Sequence, residues 1–226
     1  MHPPLALPDH PRWVEVHALA SEPGSWRREH AIGNDALQVI AVTADGGAEA
    51  LRELVREFPG HTILLGAQRW ADALVGAREV VPALVHTLPD PDALYELEGA
   101  TPLDTTAPLD HLVPTLAAEV AEARVRDRVW TAIVDGEPAA FAYTRFASAR
   151  YFNVTVETIA TARQLGLATL VATALILDRI GRTPRREPVF TAAADDAAAC
   201  RLAARLGFVA VDRMWIALPQ APGGAA

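Results

Sequence analysis

The sequence predicts a mixed α/β protein with a mostly antiparallel sheet flanked by helices, preceded by a smaller α/β half. Three observations carry this. The first hundred residues alternate strand-like and helix-like apolar patterns. Residues 128–158 hold three strand-like runs, the first two joined at Asp135-Gly136, a dipeptide suited to a tight hairpin turn. A nearly unbroken apolar stretch, Arg163 to Ile180, follows and has the character of a buried helix.

In order along the chain, "ALQVIAVT" (36–43) is rich in β-branched residues and reads as a strand. In 46–58, Ala50, Leu51, Leu54, Val55 and Phe58 recur at helical spacing. A strand over 61–66, a short helix over 67–76 and a strand over 79–88, edged by Pro82, complete the alternating half. Residues 89–108 are rich in turn formers and mark the boundary. A helix is expected over 109–123, with Pro114 disturbing its first turns. The hairpin 128–146 and a third strand over 150–158 then form an antiparallel meander. Gly181 and Pro184 end the long apolar helix. A strand (188–194), a helix begun by an Asp (195–206), the stop at Gly207 and one or two strands over 208–218 close the order. No internal repeat is visible, although a divergent duplication could hide in the first half.

The 226 residues, 51% of them hydrophobic, suffice for one large domain or two small ones with a real core. The expected division is an α/β region over 1–103, a second domain over 104–219 and a flexible tail over 220–226. The N-terminus lacks the basic and apolar segments of a signal peptide, and no apolar run reaches the roughly 20 residues of a membrane helix. A cytoplasmic protein without a membrane partner is expected. A single cysteine, Cys200, excludes an internal disulfide. The net charge of −8 argues against nucleic acid as a partner. All 20 basic residues are Arg, so no lysine can serve in catalysis. Neither the seven His nor Cys200 shows metal-ligand spacing, so no metal site is expected. Cys200 reads as a small buried thiol, and His86 and His111 as surface or satisfied groups. Arg179, Arg182, Arg185 and Arg186 read as a solvated basic loop, with contact to an anion as the alternative.

"ARQLGLATL" (162–170) poses a sharper question, because glycine near a helix start costs roughly 1 kcal/mol against alanine. The first N–H groups of a helix have no internal partner and carry partial positive charge. Gly166 and Ala168, with little or no side chain, would let an anion reach them. Tight packing of the helix on the sheet explains the same glycine.

"RQLGLA" fits the pattern Gln/Arg-x-x-Gly-x-Gly/Ala. It follows a meander and precedes a long helix, a strand and "DDAAACRLAARLGF". This order and both motifs, over about 109–218, resemble the GNAT superfamily of N-acetyltransferases. The resemblance implies acetyl-CoA as co-substrate. Backbone N–H groups from Arg163, Gln164 and Leu165 through Gly166, Leu167, Ala168 and Thr169 would bind its pyrophosphate. Val156 to Thr158 would pair with the pantetheine arm, and Asp196 would begin a helix flanking the thiol. The first half would be a degenerate GNAT-like half. The chain departs from the family pattern at Leu165, where Arg is common, at Asp196, where Asn is common, and at Ala203, where many members have Tyr.

The expected function is direct transfer of an acetyl group to the amine of a small molecule or peptide, with a homodimer left open. The alternative is a non-catalytic acyl-CoA-binding or assembly module. On the strand over 150–158, alternation puts Tyr151, Asn153, Thr155 and Glu157 on one face. Glu157 is its only carboxylate and is the candidate base, against a structural role beside an Arg.

Overall fold

The computed structural model describes residues 7–220. Most of the flexible tail expected over 220–226 therefore lies outside the described residues. Gln220, expected in the tail, donates its N–H to the Pro59 carbonyl.

The described chain begins with α1 (Val14–Ser21), β1 (Ser25–Arg27), β2 (Ala31–Asn34), β3 (Val39–Val42), α2 (Gly47–Glu57), β4 (Thr62–Leu65), α3 (Gln68–Ala73) and β5 (Val80–Thr87). After β6 (Ala100–Pro102) come α4 (Pro114–Arg126), β7 (Trp130–Val134), β8 (Glu137–Tyr143), β9 (Tyr151–Asn153) and β10 (Thr155–Thr158). Then follow α5 (Leu167–Ile180), β11 (Glu187–Ala193), α6 (Ala197–Arg205) and β12 (Val209–Ala217). With β9 and β10 taken as two halves of one strand, the order helix, three strands, helix, strand, helix, strand occurs twice. The repeat that no sequence similarity reveals is present in the order of elements.

The chain folds as two compact units. One contains the described residues up to Val85, with Thr191–Cys200 and those from Ala210; the other contains His86–Phe190 and Arg201–Val209. The boundary expected at 103/104 thus falls inside the second unit. The reason is β6, which pairs with β7 of that unit, Ala100 opposite Ala132. β12, at the far end of the chain, instead lies between β4 and β5 in the sheet of the first unit, with Trp215 opposite Leu65 and Ala217 opposite Ile63.

In the first unit the strand order is β1-β2-β3-β4-β12-β5, antiparallel from β1 to β3 and parallel between β3 and β4. The apolar stripe of α2, Leu51, Leu54 and Val55, packs on Ile40, Val42, Ile63 and Leu65. α1, β1 and β2 went unread in the sequence.

In the second unit the order is β10-β8-β7-β6. The hairpin turn falls at Asp135-Gly136 as expected, both residues with positive φ (52° and 85°). Alternation along β8 sends Phe141 and Tyr143 into the core that α4 covers with Val120 and Ala123. It leaves the small, fully buried Ala140 and Ala142 toward α5, which lies against β7, β8 and β10. Pro114 is the first residue of α4 rather than a disturbance within it, because proline's missing N–H costs nothing there. The helix therefore begins five residues later than expected and continues to Arg126.

The basic run at the end of α5 is an ion-pair network. Arg179 and Arg182 both bind Asp127, Arg182 also binds Asp178, and Arg128 reaches Asp178 at 2.8 Å. Arg185 pairs with Asp92 at 2.8 Å. Burial pushes the Asp127 carboxyl up, but the Arg182 hydrogen bond, the Arg128 N–H and the charges of Arg179 and Arg182 hold it below its ordinary value. A depressed carboxylate contributes stability above its unfolded pKa, and that stability is lost as pH falls through the folded one. Asp127→Ala is expected to cost about 2 kcal/mol at pH 7, because Arg179, only 12% exposed, loses its partner. Urea unfolding measures this, and pairing the change with Arg179→Met should recover part of the loss. A cost below about 0.5 kcal/mol would show the network to be ordinary surface pairing.

Candidate functional site

The strand expected over 150–158 is divided at Val154. Before it, β9 runs parallel to β11, with Tyr151 opposite Glu187 and Asn153 opposite Val189. After it, β10 runs antiparallel to β8, with Thr155 opposite Tyr143 and Glu157 opposite Phe141. The Val154 N–H donates to the Val189 carbonyl at 2.8 Å. β10 is the edge strand of the four-stranded sheet, bonded to β8 alone.

Its hydrogen-bonding phase determines what that edge offers. The Ile159 N–H donates to the Ala139 carbonyl at 3.0 Å, so residues 155, 157 and 159 direct their backbone groups to β8. Val156 and Thr158 therefore turn their N–H and C=O groups outward. These are the two residues expected to pair with an extended ligand, and of their outward groups the Thr158 carbonyl accepts from Arg163 Nε at 3.5 Å.

The loop from β10 to α5 has a matching character. A 3-10 turn, Ala160–Ala162, leads to Arg163–Gly166, all exposed. Gln164 has φ +67° and Gly166 φ +80°, conformations that bend the backbone sharply. No side chain caps α5, and a Cβ built on Gly166 would meet no atom within 4 Å. The helix start expected to be buried is open, because α5 begins at Leu167 rather than near Arg163 and its buried residues start at Val171. The N–H groups of Leu167, Ala168 and Thr169 thus lie in the first turn of a 14-residue helix behind an open, left-handed glycine. Leu165 is 61% exposed and carries no charge into the loop. Arg163 Nε lies 3.5 Å from the Thr158 carbonyl oxygen at the outward edge of β10. The Thr158 hydroxyl oxygen is buried without a hydrogen-bond partner. An uncapped helix start beside outward backbone groups and an orphaned hydroxyl fits a pyrophosphate followed by an extended amide-bearing arm.

The corresponding turn of the first unit differs in having a carboxylate on its glycine. Between β3 and α2, Gly47 also has φ +79°, but its N–H donates to Asp45 Oδ1 at 3.0 Å. Arg69 Nε holds the other carboxylate oxygen at 2.9 Å. The Gly47 N–H first, and then Arg69, keep the Asp45 carboxyl below its ordinary range. β3 is moreover paired on both sides, with β2 and β4, so it has no outward edge. Among the described residues the second unit's turn follows an edge strand, whereas the first unit's follows a strand paired on both sides.

Glu157 is half-buried on the α4 face of β10. Asn153 Nδ2 lies 3.4 Å from Thr155 Oγ1, as residues on one face should, while Asn153 Oδ1 accepts from the Arg145 and Phe146 N–H groups. Tyr143 on β8 is buried and donates its hydroxyl to Glu119 Oε2 of α4 at 3.1 Å. Burial, then the charges of Glu119 and Glu157, push the Tyr143 phenol up, so it stays protonated. The sequence reading missed Glu119 and Tyr143; the signal was a lone tyrosine in an alanine-rich strand.

Asp196 lies in the first unit, where Oδ1 accepts from the Ala198 and Ala199 N–H groups at 3.0 and 2.9 Å and caps α6. Ala203 is fully buried and offers no hydroxyl. His86 Nδ1 lies 3.1 Å from the Phe190 carbonyl oxygen and His111 Nε2 2.8 Å from that of Pro138, so both are satisfied. Cys200 is half-buried, with Sγ 3.7 Å from the Ala193 carbonyl. Among the described residues no cluster of three His, Cys, Asp or Glu could hold a metal, and no helix is long and apolar enough to cross a membrane.

No protein-family model matches the chain. No curated protein matches it either. Solved structures do. A protein placed in the GNAT family of acetyltransferases, from Novosphingobium aromaticivorans, is 20% identical with a TM-score of 0.65, over 94% of this chain and all of that one. A GCN5-related N-acetyltransferase from Kribbella flavida is 16% identical with a TM-score of 0.57, over 93% of this chain and 95% of that one. A tandem GNAT protein of the clavulanic acid biosynthesis pathway is 17% identical with a TM-score of 0.50, over 93% and 95%. The likeness confined by sequence to about 109–218 extends in structure to the first half as well. A mixed, mostly antiparallel sheet flanked by helices, with a split strand running into an open helix start, gives this chain the fold of the GNAT acetyltransferases.

Proposed function

We propose that the chain transfers an acetyl group from acetyl-CoA to an amine. The observation that carries this is the pairing of two open features on successive elements, the outward backbone of Val156 and Thr158 and the uncapped start of α5 behind Gly166. In this reading the N–H groups of the 163–169 loop and first helical turn hold the pyrophosphate. Val156 and Thr158 bind the amide-bearing arm. Acetyl-CoA supplies the thioester whose carbonyl carbon the amine attacks. Glu157, directly or through a water, takes a proton from the amine nitrogen. Because Ala203 carries no acid, the departing thiolate takes its proton from solvent. The first half acts as a degenerate GNAT-like half, with an Asp45 carboxylate on the Gly47 N–H of its turn.

Acetyl-CoA at a hundredfold excess over its Kd should stabilise the protein by about 2.7 kcal/mol. Gly166→Glu should abolish that stabilisation, since the new carboxylate enters the anion seat. A Gly166→Glu protein that folds and is stabilised as well as the original would remove the assignment. Buried Ala203 favours a second reading, in which the chain binds acyl-CoA without turnover. Release of free CoA thiol with any member of an amine panel decides for the enzyme.

A further inference from the structure

A shallow pocket opens between α4 and the end of β8, lined by Glu119, Glu122, Ala123, Arg126, Tyr143 and Arg145. It lies on the face of the sheet that also carries Thr155 and Glu157, at the end of β10 nearest Val154. Within it the charges are unequally engaged. Glu122 Oε1 is paired with Arg126 Nε at 3.1 Å on the same helix. The Arg145 guanidinium lies over the Phe146 ring, 5.4 Å from its centroid. Glu119 is exposed, and only its Oε2 is engaged, by the Tyr143 hydroxyl. Tyr143 is fixed by burial and remains protonated, so it holds Glu119 in place and leaves Oε1 open to the pocket.

A carboxylate held in this way stabilises an ammonium. It is unsuited to the nitrogen that reacts, because stabilising the ammonium opposes loss of its proton. It suits a second positive group on the same molecule. Resting on the acetyl-transfer reading above, we infer that the acceptor is a diamine or polyamine, with its unreactive ammonium on Glu119 and its reacting amine toward Glu157.

The test compares a linear α,ω-diamine, the monoamine of equal chain length and the ω-amino acid of equal length. Initial rates with acetyl-CoA should give the diamine a kcat/KM about tenfold above the monoamine, with the amino acid lowest. Glu119→Gln, which keeps an acceptor for the Tyr143 hydroxyl, should remove the diamine's advantage through KM, bringing its kcat/KM down to that of the monoamine. Equal rates for diamine and monoamine, preference for the amino acid, or equal loss on all three with Glu119→Gln would overturn the inference. Calorimetry of the diamine with the CoA-bound protein separates the two readings. Glu119-dependent binding without thiol release from any amine keeps the pocket and removes the acetyl transfer. Identical binding by both proteins removes the pocket whether or not acetyl transfer occurs.

Discussion

Glu157→Gln is expected to lower kcat about 100-fold while leaving the affinity for acetyl-CoA unchanged. An amine acceptor is mostly protonated at neutral pH, and its nitrogen has no lone pair to attack with until a proton has left. Glu157 is half-buried on β10, next to the strand positions whose backbone faces outward. Gln keeps its size and hydrogen-bonding reach but cannot accept the proton. The acidic limb of the pH–rate profile should therefore disappear together with the rate. A structural role predicts something different. Glu157 acts on Tyr143 through its charge, so its replacement would ease the phenol's titration and change stability at unchanged kcat. Steady-state kinetics across pH, with urea unfolding of both proteins, distinguish the two. An unchanged kcat in a folded Gln protein would assign deprotonation to solvent.

Glu15→Gln is expected to stabilise the protein by about 3 kcal/mol at pH 8 and by almost nothing near pH 4.5. Glu15, in the first turn of α1, is 7% exposed, and burial pushes its carboxyl from 4.5 up to about 7, partly opposed by a bond from its own N–H. A carboxyl raised in the folded state is neutral, and without cost, below its unfolded pKa. Stability is then lost as pH rises from 4.5 through about 7, at about 1.4 kcal/mol per pH unit. Gln is neutral throughout, so the difference between the two proteins isolates this one proton. Urea unfolding at pH 5 and pH 8 reads it directly. A difference that is the same at both values would mean the side chain is hydrated in the folded state.

The second half of the fold was legible where local chemistry and tertiary structure agree. Asp135-Gly136 needs positive φ at both residues, and it sits at the turn. Gly207, with φ +87°, ends α6 as a C-terminal glycine should. The reading at Gly166 rests on glycine's freedom, a property of the local chain, whereas that at Val156 and Thr158 rests on the family resemblance. What stayed hidden depends on distant partners. Nothing within 150–158 announces that Val154 bonds to Val189, a contact across 35 residues that splits the strand in two. Glu119 and Tyr143 lie 24 residues apart, and each alone reads as an ordinary surface or core residue. β1 and β2 are three and four residues long, too short for periodicity to register.

The position of β12 between β4 and β5 has a consequence for how the protein is made. A ribosome extends the chain at roughly 5–20 residues per second, and a unit can close only when its strands exist. The first unit's sheet lacks an interior strand until residues 209–217 emerge, more than a hundred residues after β5. For that interval β4 and β5 each present an unpaired backbone edge, the kind of surface that captures other strands. The nascent chain is thus most exposed to mispairing late in synthesis, and a stalled or prematurely ended product would leave that gap in the sheet unfilled.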